Sequence, residues 1–475
     1  MEAAAQSQFG DSPAPRWNRL DWTSLLAAIG CGLLLRLWFF KSIFVANGDT
    51  LIYGDIARNL LVHGSYALSG QDGALHSTLI RLPGYPLFLV VCFFLFGAGN
   101  YAAAAFIQIL LDLTACLLIG DTARRLAPSR LRHVTTHTAL WLATLCPFTA
   151  AYAAMPLTEG PTFFSIVVAL WAAVCFLEEP RWRFALCLTF ALLWAALLRP
   201  DGVLLVFALV PVLLWNLRGK LTIGVLRIVA VCALLALAPF AAWTWRNLKT
   251  FHVFQPLVPK SATDPGEPVH MGWESWVKTW SLDFATTYSI YWEVPGDKLD
   301  IGLLPSRAFD SSAQYQRTQT LADAYNANGF SLDETLDAGF AELAANRITA
   351  HPLRYYLLLP LGRVVDMWFR PRVDNLNIDL DWWAYDHHPQ ETIFSWSYAV
   401  LNVLYLALGI GGLFMRPRLW QAMLVYFVLR SALLATIAAP ETRYTLECFP
   451  MLCILGSFAV AHLVIRNGVR VTEST

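Results

Sequence analysis

Two carboxylates stand where apolar segments of the sequence end or begin, so each would lie near a membrane surface. Asp49 follows the apolar segment 22–45, and Glu159 precedes the apolar segment 160–177. A carboxylate at a lipid–water boundary can act as a general base towards a hydroxyl or an amine, because partial desolvation tunes its pKa. Asp49 or the nearby Asp55 could instead cap a short helix, and Glu159 could simply stabilise a helix N-terminus through the helix dipole. If Asp49 and Glu159 converge at one cavity, they form a candidate site.

Four arginines fall on the same predicted membrane face as the two carboxylates. They are Arg81, Arg199, Arg246 and Arg443. The planar guanidinium group suits the oxygens of a phosphate. Any single one could simply bind a lipid headgroup. Four of them on a face where cations are expected to be rare favour an anionic lipid phosphate as the ligand.

The composition indicates that membrane helices carry these residues. Of the 475 residues, 57% are hydrophobic and only 14% are charged, whereas charged residues make up about 25% of an ordinary soluble domain. Lys and Arg total 34, as do Asp and Glu, so the chain lacks the basic excess of a nucleic-acid-binding protein. An aromatic content of 13% excludes a disordered chain. The sequence therefore predicts a polytopic membrane protein.

Apolar segments of spanning length predict an all-α protein with about ten full transmembrane helices. A re-entrant or short helix and a large outer-face loop region complete the predicted fold. The predicted spans are 22–45, 101–123, 134–155, 160–177, 183–199, 201–217, 222–245, 392–415, 419–438 and 445–465.

The positive-inside rule places both termini in the cytoplasm. This topology requires that 82–97 be re-entrant and that 353–369 form an amphipathic helix on the outer surface. The alternative is that 82–97 crosses the membrane and breaks the charge rule once. The cations that define the cytoplasmic face are Arg16, Arg19, Arg124, Arg125, Arg130, Arg132, Arg181, Arg183, Arg218, Lys220, Arg416, Arg418, Arg466 and Arg470.

The same topology divides the chain into successive regions. Tryptophans of the outer region 246–391 could stack on sugar rings, or they could serve packing and interfacial anchoring. These tryptophans are Trp273, Trp276, Trp280, Trp292, Trp382 and Trp383. The predicted regions are cytoplasmic tails at 1–21 and 467–475, an N-terminal transmembrane catalytic module at 22–245 with an outer loop at 46–81, an outer-face (periplasmic) loop region at 246–391, and C-terminal transmembrane helices at 392–466.

Other polar residues are assigned structural roles. Arg36 and Asp112 lie near the middle of two spans and are expected to form a mutual salt bridge. The nine cysteines all fall in apolar stretches, which argues against a disulfide framework. The pair His387–His388 beside Asp386 is assigned to a solvated loop. No cofactor is predicted with certainty: a divalent metal stays open as an alternative without support from the ligand spacing, and the sequence has no Gly-rich nucleotide loop.

A series of motifs resembles the GT-C superfamily of membrane glycosyltransferases, which use polyprenyl-phosphate-linked sugars as donors. The branch it resembles contains the bacterial relatives of protein O-mannosyltransferases, the lipid A aminoarabinose transferases and the rhizobial lipopolysaccharide glycosyltransferases. The ordered set is more specific than any one motif. The motifs are Gly48-Asp49 with Tyr53, Ala57-Arg58-Asn59-Leu60, Arg81-Leu82-Pro83-Gly84-Tyr85-Pro86-Leu87, Phe96-Gly97, Thr158-Glu159, Leu198-Arg199-Pro200, Trp243-Thr244-Trp245-Arg246-Asn247, His351-Pro352 with Tyr355-Tyr356, and Glu441-Thr442-Arg443-Tyr444.

The resemblance implies roles for individual residues. Asp49 would be the catalytic base, and Glu159 would be the second acidic residue of the site. Many relatives have Asp-Glu where this chain has Asp49-Thr50, so a second carboxylate is missing there; Asp55 is the candidate substitute. The residues implied in substrate binding are Tyr53, Asp55, Arg58, Arg81, Tyr85, Arg199, Arg246, Arg443 and Tyr444.

The function implied by the resemblance is inverting glycosyl transfer at the outer face of a bacterial cytoplasmic (inner) membrane. The expected partners are a polyprenyl-phosphate-linked sugar donor, membrane lipid, and a glycan, lipid or protein acceptor, with no nucleic acid. Two alternatives stay open: a transporter or flippase of a lipid-linked sugar, and a catalytically inactive member of the same fold.

Overall fold

The computed structural model describes residues 19–473 apart from 221, 260 and 380. The predicted cytoplasmic tail 1–21, with Arg16, therefore lies mostly outside the described residues, as do positions 474 and 475 of the predicted C-terminal tail. The described chain is helical with one small β-hairpin, which confirms the all-α prediction. The helices are α1 (Arg19–Ile43), α2 (Asp49–His63), α3 (Gly84–Phe96), α4 (Tyr101–Leu126), α5 (Arg132–Thr144), α6 (Pro147–Ala153), α7 (Glu159–Glu178), α8 (Trp182–Leu198), α9 (Val203–Leu217), α10 (Ile223–Phe251), α11 (Met271–Lys278), α12 (Phe284–Thr286), α13 (Ser312–Ala327), α14 (Glu334–Ala350), α15 (Leu359–Phe369), α16 (Pro389–Phe414), α17 (Trp420–Leu434) and α18 (Phe449–Glu473).

Shorter elements connect these helices. The hairpin pairs β1 (Ala67–Ser69) with β2 (Leu75–Ser77) in antiparallel register, Leu68 opposite His76. Tight 3-10 turns lie at Pro200–Gly202, Arg218–Lys220, Ile301–Leu303, Ser306–Ala308 and Thr442–Cys448, and wider π-helical turns at Thr287–Tyr291 and Arg354–Leu358.

Within the described residues, 7 helical segments are long and apolar enough to cross a bilayer. The protein is therefore a multi-pass membrane protein. Three further apolar helices, α3, α8 and α17, are shorter. The 7 segments are Asp21–Ile43, Tyr101–Leu126, Glu159–Glu178, Pro200–Leu217, Ile223–Phe251, Pro389–Phe414 and Thr442–Arg466.

Two apolar stretches differ in detail from an uninterrupted span. The stretch 134–155 is divided into α5 and α6, because Pro147 cannot continue a helix and instead occupies the first turn of the next one. The 13 residues of α3 rise only about 20 Å, against a hydrocarbon core of about 30 Å. This length favours the re-entrant assignment of 82–97, which stays a prediction.

The buried pair Arg36–Asp112 fastens the first transmembrane helices together, as predicted. Arg36 Nη2 lies 2.5 Å from Asp112 Oδ2, and both side chains are fully buried. Arg36 also donates to the Thr144 carbonyl at 2.8 Å, so one guanidinium joins α1, α4 and α5. A lone charge in lipid is costly, and here the cost is offset by a partner on another helix.

The outer region has a hydrophobic core of its own. Trp273, Trp276 and Trp280 are at most 3% exposed and pack with Phe340 of α14. Their spacing of three and four residues is that of an apolar helical face. The suggestion that these three indoles stack on sugars is therefore wrong, and packing is their role.

Candidate active site

Asp49 begins α2 directly after a sharp turn of the chain. Gly48 makes this turn with φ of 48°, a left-handed conformation that favours glycine. Asp49 Oδ1 accepts a hydrogen bond from Arg81 Nη2 at 2.7 Å, and Asp49 Oδ2 lies 4.0 Å from Arg443 Nη2. The carboxylate is thus held between two arginines from distant parts of the sequence.

Glu159 begins α7 and is buried behind this first carboxylate. Arg199 Nη1 lies 3.0 Å from Glu159 Oε1, and Arg443 Nη1 lies 3.7 Å from the same oxygen. Arg443 therefore approaches both Asp49 and Glu159, so the structure brings together the two carboxylates that the sequence singles out.

The turn that carries Arg443 supplies a third carboxylate. Glu441 Oε2 lies 2.6 Å from Arg443 Nε, and the Tyr444 hydroxyl donates a hydrogen bond to Glu441 Oε1. Burial raises the pKa of Glu441 above its usual value, although Arg443 opposes this effect. Tyr444 thereby fixes Glu441, and Glu441 fixes the direction of the Arg443 side chain.

A buried charge network supports the site from below. Arg199 Nε lies 3.2 Å from Asp201 Oδ1 and 3.0 Å from Glu447 Oε1. Arg430 Nη1 lies 2.5 Å from Asp201 Oδ2 and 3.0 Å from Glu447 Oε2. Each carboxylate thus bridges two arginines, which is the pairing that buried charges require. The Glu159–Arg199 contact joins this network to the site.

A cavity of about 920 Å³ lies next to the cluster formed by Asp49, Glu159, Glu441 and Arg443. Asp49, Arg443 and Glu441 contribute to its lining, and so does Asp374, whose carboxylate accepts a hydrogen bond from Thr442. Burial raises the pKa of Asp374 above its usual value. Phe284, Tyr288 and Trp292 add an aromatic surface to the lining, and their ring centroids lie 5.6 to 6.1 Å apart. The cavity is therefore lined by carboxylates, a guanidinium group and aromatic rings.

Tyr53 and Tyr85 pack behind Arg81. The Arg81 guanidinium lies 5.7 Å from the centre of the Tyr53 ring, Tyr53 contacts Tyr85 edge to face, and the Tyr85 hydroxyl donates to Gln108 Oε1 at 2.8 Å. Gly84 lies so close to α8 that an added Cβ would be 2.5 Å from the Leu197 backbone. The Pro-Gly-Tyr-Pro motif thus allows the close packing that places Arg81.

Residues 81–245 match a sequence family described as dolichyl-phosphate-mannose-protein mannosyltransferase. The whole chain is also similar in fold to the oligosaccharyltransferase of Archaeoglobus fulgidus tethered to an acceptor peptide. That similarity has a TM-score of 0.50 at 12% identity and covers 95% of this chain and 51% of the archaeal chain. The chain therefore shares its fold with this archaeal protein, and the family match is confined to residues 81–245.

A second solved structure similar to this chain is ArnT from Cupriavidus metallidurans bound to undecaprenyl phosphate. The two chains are 13% identical, with a TM-score of 0.39 and coverage of 94% of this chain and 79% of ArnT. The present chain spans about half the length of the archaeal oligosaccharyltransferase chains. No curated protein sequence matches it.

Two residues that the GT-C resemblance assigns to substrate binding lie away from Asp49. Asp55 accepts hydrogen bonds from the Ser69 amide at 2.7 Å and the Ser69 hydroxyl at 2.8 Å, so its carboxylate fastens the hairpin. Arg58 is exposed beside the turn at Gly99. Neither is brought to the Asp49 cluster, and Asp55 does not replace the missing second carboxylate because α2 directs it to the hairpin.

The Arg246 side chain binds backbone carbonyl groups and does not face an open cavity. It donates to the Thr78 carbonyl at 2.7 Å and to the Tyr66 carbonyl at 2.8 Å, and it lies over the rings of Tyr66 and Trp243. The structure thus places Arg246 as a clamp on the segment that leads to Arg81. The prediction that it contacts the lipid phosphate directly is not supported by this placement.

The sequence reasoning missed Arg430, Glu447 and Asp374. A usable signal was present for the first two, because each is an ionisable residue inside an apolar segment. The same logic that predicted the Arg36–Asp112 pair would have predicted a partner for Arg430. Asp374 carries no such signal, because it lies in an irregular polar segment.

The carboxylates around Asp49 are paired with arginine side chains and are not arranged as a set of metal ligands. Asp49, Glu159 and Glu441 each have an arginine nitrogen within 3.0 Å. Among the described residues, sets of three potential ligand atoms within metal-binding distance occur at Asp21–His133–His137 and Asp379–Asp381–His388. Neither set belongs to this cluster, so the chemistry below is derived from the protein side chains.

Proposed function

We propose that this protein is an inverting glycosyltransferase of the GT-C type that moves a sugar from a polyprenyl-phosphate-sugar donor to a glycan, lipid or protein acceptor. The observation that carries the proposal is Asp49, held between Arg81 and Arg443 on the wall of a large cavity. The family match over 81–245 supports a lipid-phosphate donor.

Asp49 is the general base in this mechanism. Its carboxylate takes the proton of the acceptor hydroxyl as the hydroxyl oxygen bonds to the anomeric carbon. The bond from the anomeric carbon to the phosphate oxygen breaks, and its electron pair leaves with the phosphate. Because attack and departure occur on opposite faces and no enzyme nucleophile intervenes, the anomeric configuration inverts.

Arg443 and Arg81 stabilise the charge that develops on the departing phosphate. Arg443 is suited to this role, because its contacts with Asp49 at 4.0 Å and Glu159 at 3.7 Å are loose enough to exchange for phosphate oxygens. Arg199 is tied to Asp201, Glu447 and Glu159 and holds its neighbours in place.

Glu159 acts as a positioning residue. It is buried, with only 4% of its side chain exposed, and it contacts Arg199 and Arg443 rather than the cavity. Its negative charge therefore attracts the Arg443 guanidinium and keeps it close to Asp49.

The reaction is proposed to occur on the outer face of a bacterial cytoplasmic membrane. Asp49, Glu159 and Arg443 all stand at the ends of apolar helices on the face opposite the basic turns, such as Arg124 and Arg125. The outer region 246–391 contributes Phe284, Tyr288 and Trp292 to the cavity, which supports its proposed role as a cover for the acceptor side.

The test is a transfer assay with purified protein, a polyprenyl-phosphate sugar and candidate acceptors, with wild type compared with Asp49→Asn. Transfer is expected to fall by about 10² to 10⁴ in the variant. Asp72→Asn is the matched control, because Asp72 is an exposed carboxylate in the hairpin of the same outer loop. Equal turnover by wild type and Asp49→Asn would overturn the base assignment. Movement of the lipid across vesicles without transfer would instead identify a flippase, and neither activity would identify an inactive member of the fold.

A further inference from the structure

A second cavity of about 470 Å³ lies beside the first one, in the outer region. Asp283, Arg307, Asp366 and Arg370 are among its lining residues, together with Trp382 and Trp383. Its volume is within the range of small-ligand sites, which is about 300 to 1,000 Å³. The mechanism above makes no use of this cavity.

The two cavities share one wall. In the helical segment 284–292, Phe284, Tyr288 and Trp292 line the first cavity, while Thr286 and Ser289 line the second. The spacing of four residues places the three aromatic rings on one helical face and the hydroxyls on another. A single helix is about 10 Å across, so a ligand of several rings can occupy both cavities around this wall.

Charged groups of the second cavity have unused hydrogen-bonding capacity. The Arg370 side chain is only 8% exposed, and its Nη1 and Nε lie 3.7 Å from Asp366 and Asp374 respectively. Among the described residues, none is a hydrogen-bond partner of Arg370 Nη1, Arg370 Nε or Asp366 Oδ2. Buried polar atoms without partners are costly, and a ligand rich in hydroxyls supplies both donors and acceptors to them.

The tryptophans give the same cavity an apolar surface for flat rings. Trp383 is 55% exposed, its ring centroid lies 5.7 Å from that of Trp382, and the two rings are nearly perpendicular at 82°. Trp382 Nε1 also has no hydrogen-bond partner within the described part of the chain. Indole faces next to carboxylate and guanidinium groups match the two apolar faces and the hydroxyl rim of a sugar ring. A lipid chain would leave the free hydrogen-bonding atoms of Arg370 and Asp366 without partners.

We propose that the second cavity is a saccharide subsite and that the acceptor is therefore a glycan of more than one ring. This inference rests on the proposed transferase function and specifies its acceptor. One sugar presents its hydroxyl to Asp49 in the first cavity, and neighbouring rings of the same glycan lie against Trp382 and Trp383.

The test separates binding from transfer. Isothermal titration calorimetry without any donor would compare wild type, Trp383→Ala and Asp366→Asn. The probes are chitotetraose, mannotetraose, the core oligosaccharide released from lipopolysaccharide by mild acid, their single sugars and a serine-rich peptide. Wild type is expected to bind at least one oligosaccharide more tightly than its single sugar. Trp383→Ala is expected to lose about tenfold of that affinity, because one aromatic stacking contact is lost. Asp366→Asn is expected to lose about tenfold as well, because a hydrogen-bond acceptor at Oδ2 is replaced by a donor. Trp215→Ala is the control, because Trp215 is an exposed tryptophan on α9, outside both cavities.

Each outcome bears on the proposal. Loss of affinity in Trp383→Ala and Asp366→Asn but not in Trp215→Ala supports the subsite, even if transfer is never observed. Binding of no oligosaccharide, equal binding by all variants, or Trp383-dependent binding of the peptide alone would overturn it. If wild type transfers sugar in the separate assay but prefers single sugars as acceptors, the subsite proposal is overturned and the transferase function is left intact.

Discussion

Arg443 lies between Asp49 and Glu159, with Nη2 4.0 Å from Asp49 Oδ2 and Nη1 3.7 Å from Glu159 Oε1. The closer contact of Arg443 is with Glu441, at 2.6 Å. The Arg443 guanidinium is therefore held tightly by Glu441 and loosely by Asp49 and Glu159. A phosphate oxygen can displace the loose contacts without freeing the side chain.

This geometry predicts the effect of removing Arg443. Arg443→Ala is expected to lower kcat/KM by about 10² or more, because one preorganised charge at the leaving group is lost. Arg443→Lys is expected to retain part of the activity, since a lysine keeps the charge but not the fork that reaches two carboxylates. Steady-state kinetics with a polyprenyl-phosphate sugar measures both. Arg317→Lys, on an exposed helix surface, is the control, and a similar change in that variant would contradict the assignment.

The network below the site predicts a large loss of stability when it is opened. Arg430→Met leaves Asp201 and Glu447 buried with one arginine fewer, which is expected to cost about 3 to 5 kcal/mol of unfolding free energy. Equilibrium unfolding in a detergent titration measures it. Arg317→Met should change stability by less than about 0.5 kcal/mol, because its side chain is exposed. Equal stability of the two variants would show that the network is dispensable.

The Arg36–Asp112 pair predicts strong coupling between two substitutions. Arg36→Leu and Asp112→Leu are each expected to cost about 3 kcal/mol or more, because each leaves a buried charge without its partner. The double variant is expected to cost less than either single one, since it buries no charge. A double-mutant cycle of unfolding free energies checks this. Additive losses would mean that the two residues do not stabilise each other.

The membrane helices were predictable because their signal is local. Hydrophobic length and basic turns are sufficient to locate α1, α4, α7 and α10, and the Arg36–Asp112 pair follows from the cost of single charges in lipid. The break at Pro147 could also be anticipated from helix chemistry.

Contacts between distant segments were not predictable in the same way. Asp49 and Arg443 are recognisable as candidates, but the 4.0 Å contact between their side chains depends on the packing of several helices. Arg246 shows the reverse case: the sequence reveals a cation on the outer face, while only the fold shows that two carbonyl groups already bind it. Residue type therefore indicates possible chemistry, and tertiary packing decides which residues remain open to a ligand.

The clamp formed by Arg246 predicts a local change in dynamics. Arg246→Gln removes donors to the Tyr66 and Thr78 carbonyls, and charged hydrogen bonds of this kind contribute about 1.5 to 3 kcal/mol each. Amide hydrogen exchange in the segment 66–80 is expected to become at least about tenfold faster. If Arg246 instead held the donor phosphate, exchange in this segment would stay unchanged without donor and only the KM for the donor would rise.

The second cavity predicts a dependence of stability on pH that is carried by Asp366. Burial raises the pKa of Asp366 to about 7; Asp283 and Asp374 add to this effect, while Arg370 and Arg307 oppose it. Between about pH 4, the ordinary value for an aspartate, and pH 7 the folded protein holds a proton that the unfolded chain has released. The contribution of Asp366 to stability therefore decreases as the pH rises through this window and stays at its minimum above pH 7.

Asp366→Asn removes the titrating carboxyl but keeps a side chain of the same size. Compared with wild type, the variant is expected to lose less stability between pH 4 and pH 7, so that the difference in unfolding free energy grows in its favour as the pH rises. Thermal unfolding at a series of pH values measures this difference, with Asp72→Asn as the exposed control. Because the carboxyl group of Asp366 lies in the proposed saccharide subsite and ionises near pH 7 in the folded protein, oligosaccharide affinity should change around pH 7 in wild type and not in Asp366→Asn. Parallel pH profiles of stability in the two proteins would contradict the raised pKa.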